Sequence, residues 1–187
     1  YMLVLSHDEV VHLKCSMIEK MPGSYEEKFK NLMAGYAFMT GHPGKKLLFM
    51  GQDFGQHREW SEERELDWFL LEKEPNHQLQ LFVKELLHLY KSNKCLYEYD
   101  CWPEGFEWIN ADDGDRSIFS FVRHSASGKN NMLFVINFTP VERPDYRVGT
   151  TCRRKHTLVL NSDDKKCGGK GKRLPKEYKP VKKECDG

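Results

Sequence analysis

The sequence changes its hydrophobic pattern near residue 94, and this change restricts the folds that the chain can adopt. Before it, short apolar runs alternate with longer segments whose apolar residues recur at helical spacing, which is typical of the strand and helix repeat of a parallel sheet. After it, short strand-like runs are separated by turn residues about every 8–12 positions, which is typical of an antiparallel sandwich. We therefore expect an α/β part over residues 1–94 and an all-β part over residues 95–187.

The first part predicts the order strand, helix, strand, helix, with bounds near residues 2–5, 25–39, 47–50 and 77–91. Ser24 and Glu27 form a capping-box pattern at the start of the first helix, and the GHPG segment at 41–44 ends it. Asn76 is placed to cap the second helix. The long loop at 52–74 contains several aromatic residues, so we expect it to be ordered.

The second part predicts a hairpin with strands at 106–109 and 117–122, because the segment between them is rich in turn residues. Its DDGD run, Asp112 to Asp115, has part of a calcium-loop pattern, but the glutamate that such a loop needs downstream is missing, so a turn is favoured. Further strands are expected at 132–138, 146–148 and 156–160. Residues 164–187 contain 9 lysines and arginines against 4 acidic residues and predict a loop or frayed end.

Composition restricts the partners and the compartment. The formal net charge is +1, which favours neither nucleic acid nor anionic membranes, and no apolar run approaches the roughly 20 residues that cross a bilayer. No signal-peptide pattern is present. The 6 cysteines are widely spaced without a CxxC pair, so we expect free thiols in a cytoplasmic protein and no structural zinc. His7 and His12 do not have the spacing of a helical metal site, and we expect no metal and no cofactor.

A group of polar residues, Ser6 to Glu9, follows directly after the apolar run at 2–5. Residues just past the carboxyl end of a buried parallel strand face the mouth of an α/β barrel, where such folds place their active sites. His7 can donate to a sugar hydroxyl, and an ionised Asp8 can accept from two neighbouring hydroxyls. A solvated turn explains the same residues without any function, and their spacing alone leaves both interpretations open.

The aromatic residues allow a similar pair of interpretations. Their rings can stack on the C–H faces of sugars, although most such side chains belong to a hydrophobic core. We expect a minority of them to contact sugar. The candidates are Trp60, Trp68, Trp102, Trp108, Tyr97 and Tyr99.

Several longer motifs occur in order along nearly the whole chain: LSHDEVVH at 5–12, KMPGSYEEKFKNLMAGYAFMTGHPGKKLLFMGQDFGQHREW at 20–60, LDWFLL at 66–71, FEWINADDGDRSIFSFVRH at 106–124, FVINFTPVERPDYRVG at 134–149 and LNSDDKKCGGKG at 160–171. Together they resemble the C-terminal portion of the 1,4-alpha-glucan (glycogen) branching enzymes of the alpha-amylase family. The HDE block is shared with many amylase relatives. The combination of GKKLLFMGQDFGQ, REW, LDW and NFTPV is typical of branching enzymes.

The resemblance implies the last two βα units of a (β/α)8 TIM barrel, followed by an antiparallel β-sandwich C-terminal domain. Residues 1–94 are then the C-terminal part of the catalytic barrel, and residues 95–187 are the all-β domain, incomplete at its end. A whole barrel takes about 250 residues, so the first part cannot close one by itself.

The resemblance also implies the reaction. Branching enzymes cleave an α-1,4 link by a retaining double displacement and transfer the glucan chain to a 6-hydroxyl, which forms the α-1,6 branches of glycogen. Asp8 matches the family's transition-state stabiliser, and His7 matches the neighbouring histidine that binds the same sugar. The nucleophile and the acid/base lie on earlier strands outside this sequence, so we expect the chain alone to be inactive. Asp53 departs from the family pattern, which often has glutamate there.

Two other functions remain open. The chain is alternatively a non-catalytic module that binds glucan or a protein partner through its aromatic residues, or a part of a related amylase-type glycoside hydrolase. The REW and NFTPV motifs count against the hydrolase. The expected partner is α-1,4-glucan, as glycogen or amylose chains, with no nucleic acid and no membrane. The exposed apolar surfaces of a partial barrel also predict self-association of the chain.

Overall fold

The computed structural model describes residues 5–185, in which two long helices pack against a three-stranded antiparallel sheet, followed in sequence by a two-stranded sheet. No helix in this range is long and apolar enough to cross a membrane. The helices are α1 (Tyr25–Gly41) and α2 (Glu74–Ser92). The strands are β1 (Phe106–Asn110), β2 (Ile118–Arg123), β3 (Met132–Asn137), β4 (His156–Thr157) and β5 (Glu177–Tyr178). Short 3-10 turns lie at His7–Glu9, Gln52–Phe54, Trp68–Glu72, Lys94–Leu96, Pro103–Gly105 and Lys165–Cys167.

Helix α1 forms the capping box that its sequence predicts. The Ser24 hydroxyl accepts a hydrogen bond from the Glu27 amide at 3.5 Å, and the Glu27 carboxylate accepts one from the Ser24 amide at 2.7 Å. The helix ends at Gly41, in the predicted GHPG segment. A Cβ atom at this position would lie 2.8 Å from ring carbons of Phe121 and Phe134, so only glycine lets the helix end lie directly on the sheet.

Helix α2 begins at Glu74, earlier than expected, and the prediction that Asn76 caps it is wrong. Asn76 is fully buried in the first helical turn, where its side-chain amide donates to the carbonyl oxygens of Phe54 at 2.8 Å and Gly55 at 3.1 Å. Pro75 suits the earlier start, because proline is well tolerated in the first turn of a helix. Asn76 therefore attaches α2 to the preceding loop.

The core consists of two clusters that share contacts with α1. The first lies mainly between the two helices, and its buried members include Phe29, Leu32, Tyr36, Leu79, Phe82 and Leu86. In the second, residues of both helices pack against the sheet and against Cys95 and Leu96. The first cluster is built from apolar residues that recur at helical spacing in the two helices, whereas the helices contribute only partly buried residues to the second.

The sheet has the order β1-β2-β3 with antiparallel pairing throughout, which confirms the predicted hairpin and the third strand. Phe121 pairs with Trp108 on one side and with Phe134 on the other. The rings of Phe121 and Phe134 stack with their centroids 5.0 Å apart. Cross-strand aromatic pairs of this kind stabilise one register of the sheet.

The rest of the β part differs from the expectation. Strand β4 covers only two of the residues expected at 156–160, and residues 146–148 form no strand. The tail, predicted to be a loop or frayed end, contributes β5, which pairs antiparallel with β4. An additional bond from the Leu158 amide to the Lys176 carbonyl (2.9 Å) extends this pairing. The tail is ordered by main-chain bonds to a distant segment, which no local apolar pattern predicts.

The predicted strand at 47–50 is wrong. This segment forms no strand, and Leu47 and Met50 are 39% and 54% exposed. A strand needs a hydrogen-bonded neighbour, and no strand within residues 5–185 pairs with this segment. The other predicted strand, at 2–5, lies outside the described residues except for Leu5. The parallel α/β sheet expected in the first part is therefore not seen over the described residues, where the two helices and ordered loops are found instead.

Candidate active site

His7 and Asp8 lie side by side on a short 3-10 turn, His7–Glu9, that Ser6 caps. The Ser6 hydroxyl accepts from the Asp8 amide at 3.3 Å and donates to Asp8 Oδ2 at 3.0 Å. The other carboxylate oxygen, Oδ1, lies 3.2 Å from His7 Nε2. The structure thus brings the two predicted site residues together, on a turn whose conformation the serine sets.

Both side chains are accessible to solvent, at 58% for His7 and 68% for Asp8. The His7 ring also packs near Phe49, with the centroids 6.0 Å apart. An exposed imidazole nitrogen beside an exposed carboxylate presents a donor and acceptors to one ligand. This arrangement can bind neighbouring hydroxyl groups of a sugar, and the carboxylate can stabilise a positive charge that develops nearby.

The main chain of the turn is bound from two other segments. The Lys14 ammonium donates to the Asp8 carbonyl at 2.7 Å, and the Trp60 amide donates to the Val10 carbonyl at 3.2 Å. Val10 itself is buried. The sequence gives no signal for Lys14, and it indicates Trp60 as an aromatic candidate and as part of the REW motif. No residue type predicts the main-chain bond from Trp60 to Val10, because any residue can make such a bond. The REW motif is the only sequence pattern that includes Trp60.

The loop at 52–74 is ordered, as its aromatic residues predict, and polar contacts around the buried Asp67 stabilise it. The Arg58 guanidinium binds both oxygens of Asp67, with Nε donating to Oδ2 at 2.8 Å and Nη2 donating to Oδ1. The hydrogen bond from Arg58 lowers the pKa of the Asp67 carboxyl. Gln56 accepts from the Asp67 amide at 2.9 Å and donates to the Arg58 carbonyl at 3.2 Å. The loop is therefore a rigid neighbour of the candidate site.

Tyr36 connects this loop to α1, and Asp53 lies nearby. The Tyr36 hydroxyl, buried in the helix pair, donates to the Gln52 carbonyl at 2.9 Å. Burial raises the pKa of Tyr36, and the negative charge of Asp53 raises it further. Tyr36 consequently stays a hydrogen-bond donor at any physiological pH. Asp53, the position that departs from the family pattern, lies half-buried beside this bond in the turn at Gln52–Phe54.

The candidate aromatic residues have different surroundings. Trp108 is 41% exposed but packs edge-on against Phe106 and Phe121, with centroid distances of 5.1 and 5.6 Å. Trp60 packs edge-on against Phe49 at 5.1 Å. Trp102 is 64% exposed and is the tryptophan whose faces are most open to solvent in the described residues. Contact with sugar stays a prediction, and Trp102 is the member best placed for it.

Metal ligands are not grouped in the described part of the chain, where no cluster of three or more histidine, cysteine, aspartate or glutamate side chains could hold an ion. Cys15, Cys95, Cys101, Cys152 and Cys167 are free thiols, and Cys95 and Cys167 are buried. Burial raises the pKa of both buried thiols, which keeps them protonated and unreactive.

Comparison with known proteins confirms the resemblance found in the motifs. Residues 108–187 match the family described as alpha amylase, C-terminal all-beta domain. The chain is 55% identical over 186 residues to the 1,4-alpha-glucan branching enzyme GlgB of Butyrivibrio fibrisolvens. This match covers 100% of this chain and 29% of that protein. The enzyme of the same name from Aquifex aeolicus is 50% identical over 171 residues, which are 91% of this chain and 27% of that protein. The one from Halothermothrix orenii is 47% identical over 173 residues, which are 92% of this chain and 28% of that protein. The chain thus spans less than a third of these relatives, and it matches their C-terminal region.

Proposed function

We propose, from the premise that this chain matches 1,4-alpha-glucan branching enzymes along its whole length, that the whole protein is a branching enzyme of glycogen synthesis. It cleaves an α-1,4 link in a glucan and transfers the released chain to a 6-hydroxyl, which forms an α-1,6 branch. Asp8 stabilises the transition state, and His7 binds a hydroxyl of the same sugar. Its substrate is an α-1,4-glucan chain, and its compartment is the cytoplasm, where free cysteines stay reduced.

The observation that best supports this proposal is the contact between Asp8 Oδ1 and His7 Nε2 at 3.2 Å on an exposed turn. In a retaining transfer, a carboxylate nucleophile forms a bond to the anomeric carbon while an acid protonates the departing glycosidic oxygen. A 6-hydroxyl then attacks the same carbon, releases the nucleophile and gives its proton to the residue that acted as acid. Both transition states resemble an oxocarbenium ion, so a further carboxylate that holds the sugar hydroxyls stabilises both.

Those two reacting groups belong, by the resemblance, to parts of the protein outside this chain. The proposed architecture is the last two βα units of a (β/α)8 TIM barrel over residues 1–94, followed by a β-sandwich domain over residues 95–187. The match of residues 108–187 to an all-β domain family supports the second assignment. The helices α1 and α2 in the first part, whose buried apolar residues pack against each other, support the first.

The proposal is tested by Asp8→Asn in the whole protein, with Asp115→Asn as the matched control. Asp115 lies exposed in the β1-β2 turn, so its change removes the same charge outside the His7–Glu9 turn. A neutral amide in place of the Asp8 carboxylate cannot supply the negative charge that the transition state needs, and we expect the branching rate on amylose to fall by about a thousandfold or more. The control should keep the parental rate.

The product identifies the reaction class. A branching enzyme creates new α-1,6 links, counted after enzymatic debranching, without releasing reducing ends. A related hydrolase releases reducing ends and creates no branches. An Asp8→Asn protein with the parental rate, or a parent that releases only reducing ends, contradicts the proposal.

A further inference from the structure

The segment that follows the candidate site has an unusual backbone. His12, Leu13 and Cys15 adopt positive φ angles of 57°, 67° and 64°, although none of them is glycine. Left-handed conformations are unfavourable for residues with a side chain, because the Cβ atom comes too close to the following carbonyl oxygen. Such backbone persists only where surrounding contacts impose it, and it is frequent at active sites.

The carboxylate of Glu59 makes the contacts that impose it. Its Oε2 accepts from the Leu13 amide at 3.2 Å, and its Oε1 accepts from the Cys15 amide at 2.6 Å. Both oxygens of one anion thus bind amides on either side of Lys14. Closely spaced amides in a left-handed turn form a concave anion site, which here is filled by a side chain from 44 residues further along the chain.

This arrangement is linked directly to Asp8. Glu59 binds the residues on both sides of Lys14. The Lys14 ammonium donates to the Asp8 carbonyl at 2.7 Å. The residue after Glu59, Trp60, donates its amide to the Val10 carbonyl at 3.2 Å. The REW segment therefore binds the main chain around the Asp8 turn directly at Val10 and indirectly, through Lys14, at Asp8.

We propose that Glu59 is a positioning residue for branching catalysis, which acts by holding the 12–15 segment so that Lys14 and Trp60 fix the turn bearing Asp8. This inference rests on the proposed role of Asp8. Glutamine at position 59 keeps one acceptor oxygen but turns an NH2 group toward the second amide, so one of the two bonds becomes a clash of donors. The segment then relaxes, and the Asp8 carboxylate loses its fixed position.

The test is Glu59→Gln in the whole protein, with Glu62→Gln as the matched control. Glu62 lies exposed in the same loop. A misplacement of about 1 Å can cost a hundredfold in rate, so we expect kcat to fall roughly 10–100-fold while KM for amylose changes little. The control should match the parent.

The decisive readout is the double variant with Asp8→Asn. If Glu59 acts through Asp8, adding Glu59→Gln to the Asp8→Asn variant lowers kcat little further, because the carboxylate that it positions is already gone. A general loss of folded protein instead lowers kcat by the same factor in the parent and in the Asp8→Asn variant. Lys14→Met, at an exposed position, should also lower kcat and show the same dependence on Asp8. Equal factors in both backgrounds, or an unchanged kcat in both single variants, overturn the inference. A parent that forms no α-1,6 links instead overturns the proposed function.

Discussion

At the scale of single residues, Lys46 illustrates how burial controls a charge. Its ammonium donates to the His42 carbonyl and lies 5.6 Å from the centroid of the Tyr90 ring. Burial lowers the pKa of Lys46 to about 8, with Asp100 opposing this effect and the positive charge of Arg123 adding to it. The folded chain therefore releases a proton from Lys46 at a lower pH than the unfolded chain does.

This difference predicts a pH dependence of stability. Between pH 8 and the ordinary lysine pKa of 10.5, the unfolded chain binds more protons at this position than the folded chain, so the free energy of unfolding rises with pH. Lys46→Met keeps the apolar stem and removes the titration. We expect the stability of the parent relative to the variant to increase from about pH 8 to the ordinary lysine pKa of 10.5, measured by urea denaturation. If the difference in free energy of unfolding between the parent and the Lys46→Met variant stays constant over this pH range, the lowered pKa of Lys46 is contradicted.

At the scale of elements, one buried guanidinium joins the end of α1 to the sheet. Arg123 on β2 is 0% exposed and donates to the Gly41 carbonyl at 2.8 Å, the Gly105 carbonyl at 3.1 Å and the Asp100 carboxylate at 2.7 Å. These acceptors come from the end of α1, from the turn before β1 and from the segment after α2. The two sequence parts on either side of residue 94 are thus connected by a buried polar network.

Removing this group tests whether the network stabilises the packing. Arg123→Met leaves the Asp100 carboxylate buried without this cation and the Gly41 carbonyl without this donor, a defect that typically costs about 3–5 kcal/mol. The Gly105 carbonyl keeps its hydrogen bond from the His124 amide at 3.0 Å. Arg173→Met, at an exposed position of the tail, is the control and should cost less than about 0.5 kcal/mol. Urea unfolding curves of the two variants measure both values. Similar stabilities for the two variants would show that the network contributes little.

Local patterns predicted the elements whose stabilising contacts are local. The capping box of Ser24 and Glu27 and the turn between β1 and β2 involve neighbouring residues, so their sequence signals were sufficient. Asn76 was misassigned as a cap because its partners, Phe54 and Gly55, lie in a distant loop. The strand at 47–50 was misassigned because an apolar run does not reveal whether a neighbouring strand exists.

In the candidate site too, local contacts are predictable from the sequence and long-range contacts are not. His7 and Asp8 are adjacent in sequence, so their pairing was predictable from the motif. The bonds of Glu59 to the Leu13 and Cys15 amides join segments more than 40 residues apart and use main-chain donors. No pattern of residue types predicts such contacts, so only the structure identifies Glu59.

At the scale of the whole molecule, the chain spans 29% of the Butyrivibrio fibrisolvens enzyme that it matches along its full length. The proposed reaction needs a nucleophile and an acid/base in addition to the stabilising Asp8. If those groups lie outside this chain, as we propose, no glycosyl intermediate forms on the chain alone, and we expect it to supply only one part of the site. Exposed apolar residues such as Leu47 and Met50 also support the prediction that the chain self-associates, which its elution volume in size-exclusion chromatography checks.

The most direct test is a branching assay on amylose, run with this chain and with the whole protein at equal molar concentration. It shows whether the chain alone is insufficient for the activity of a branching enzyme. Iodine staining follows the loss of long linear chains, and debranching counts the new α-1,6 links. We expect the whole protein to form branches and this chain alone to form none. Turnover by the chain alone, or a whole protein that makes no α-1,6 links, would contradict this expectation.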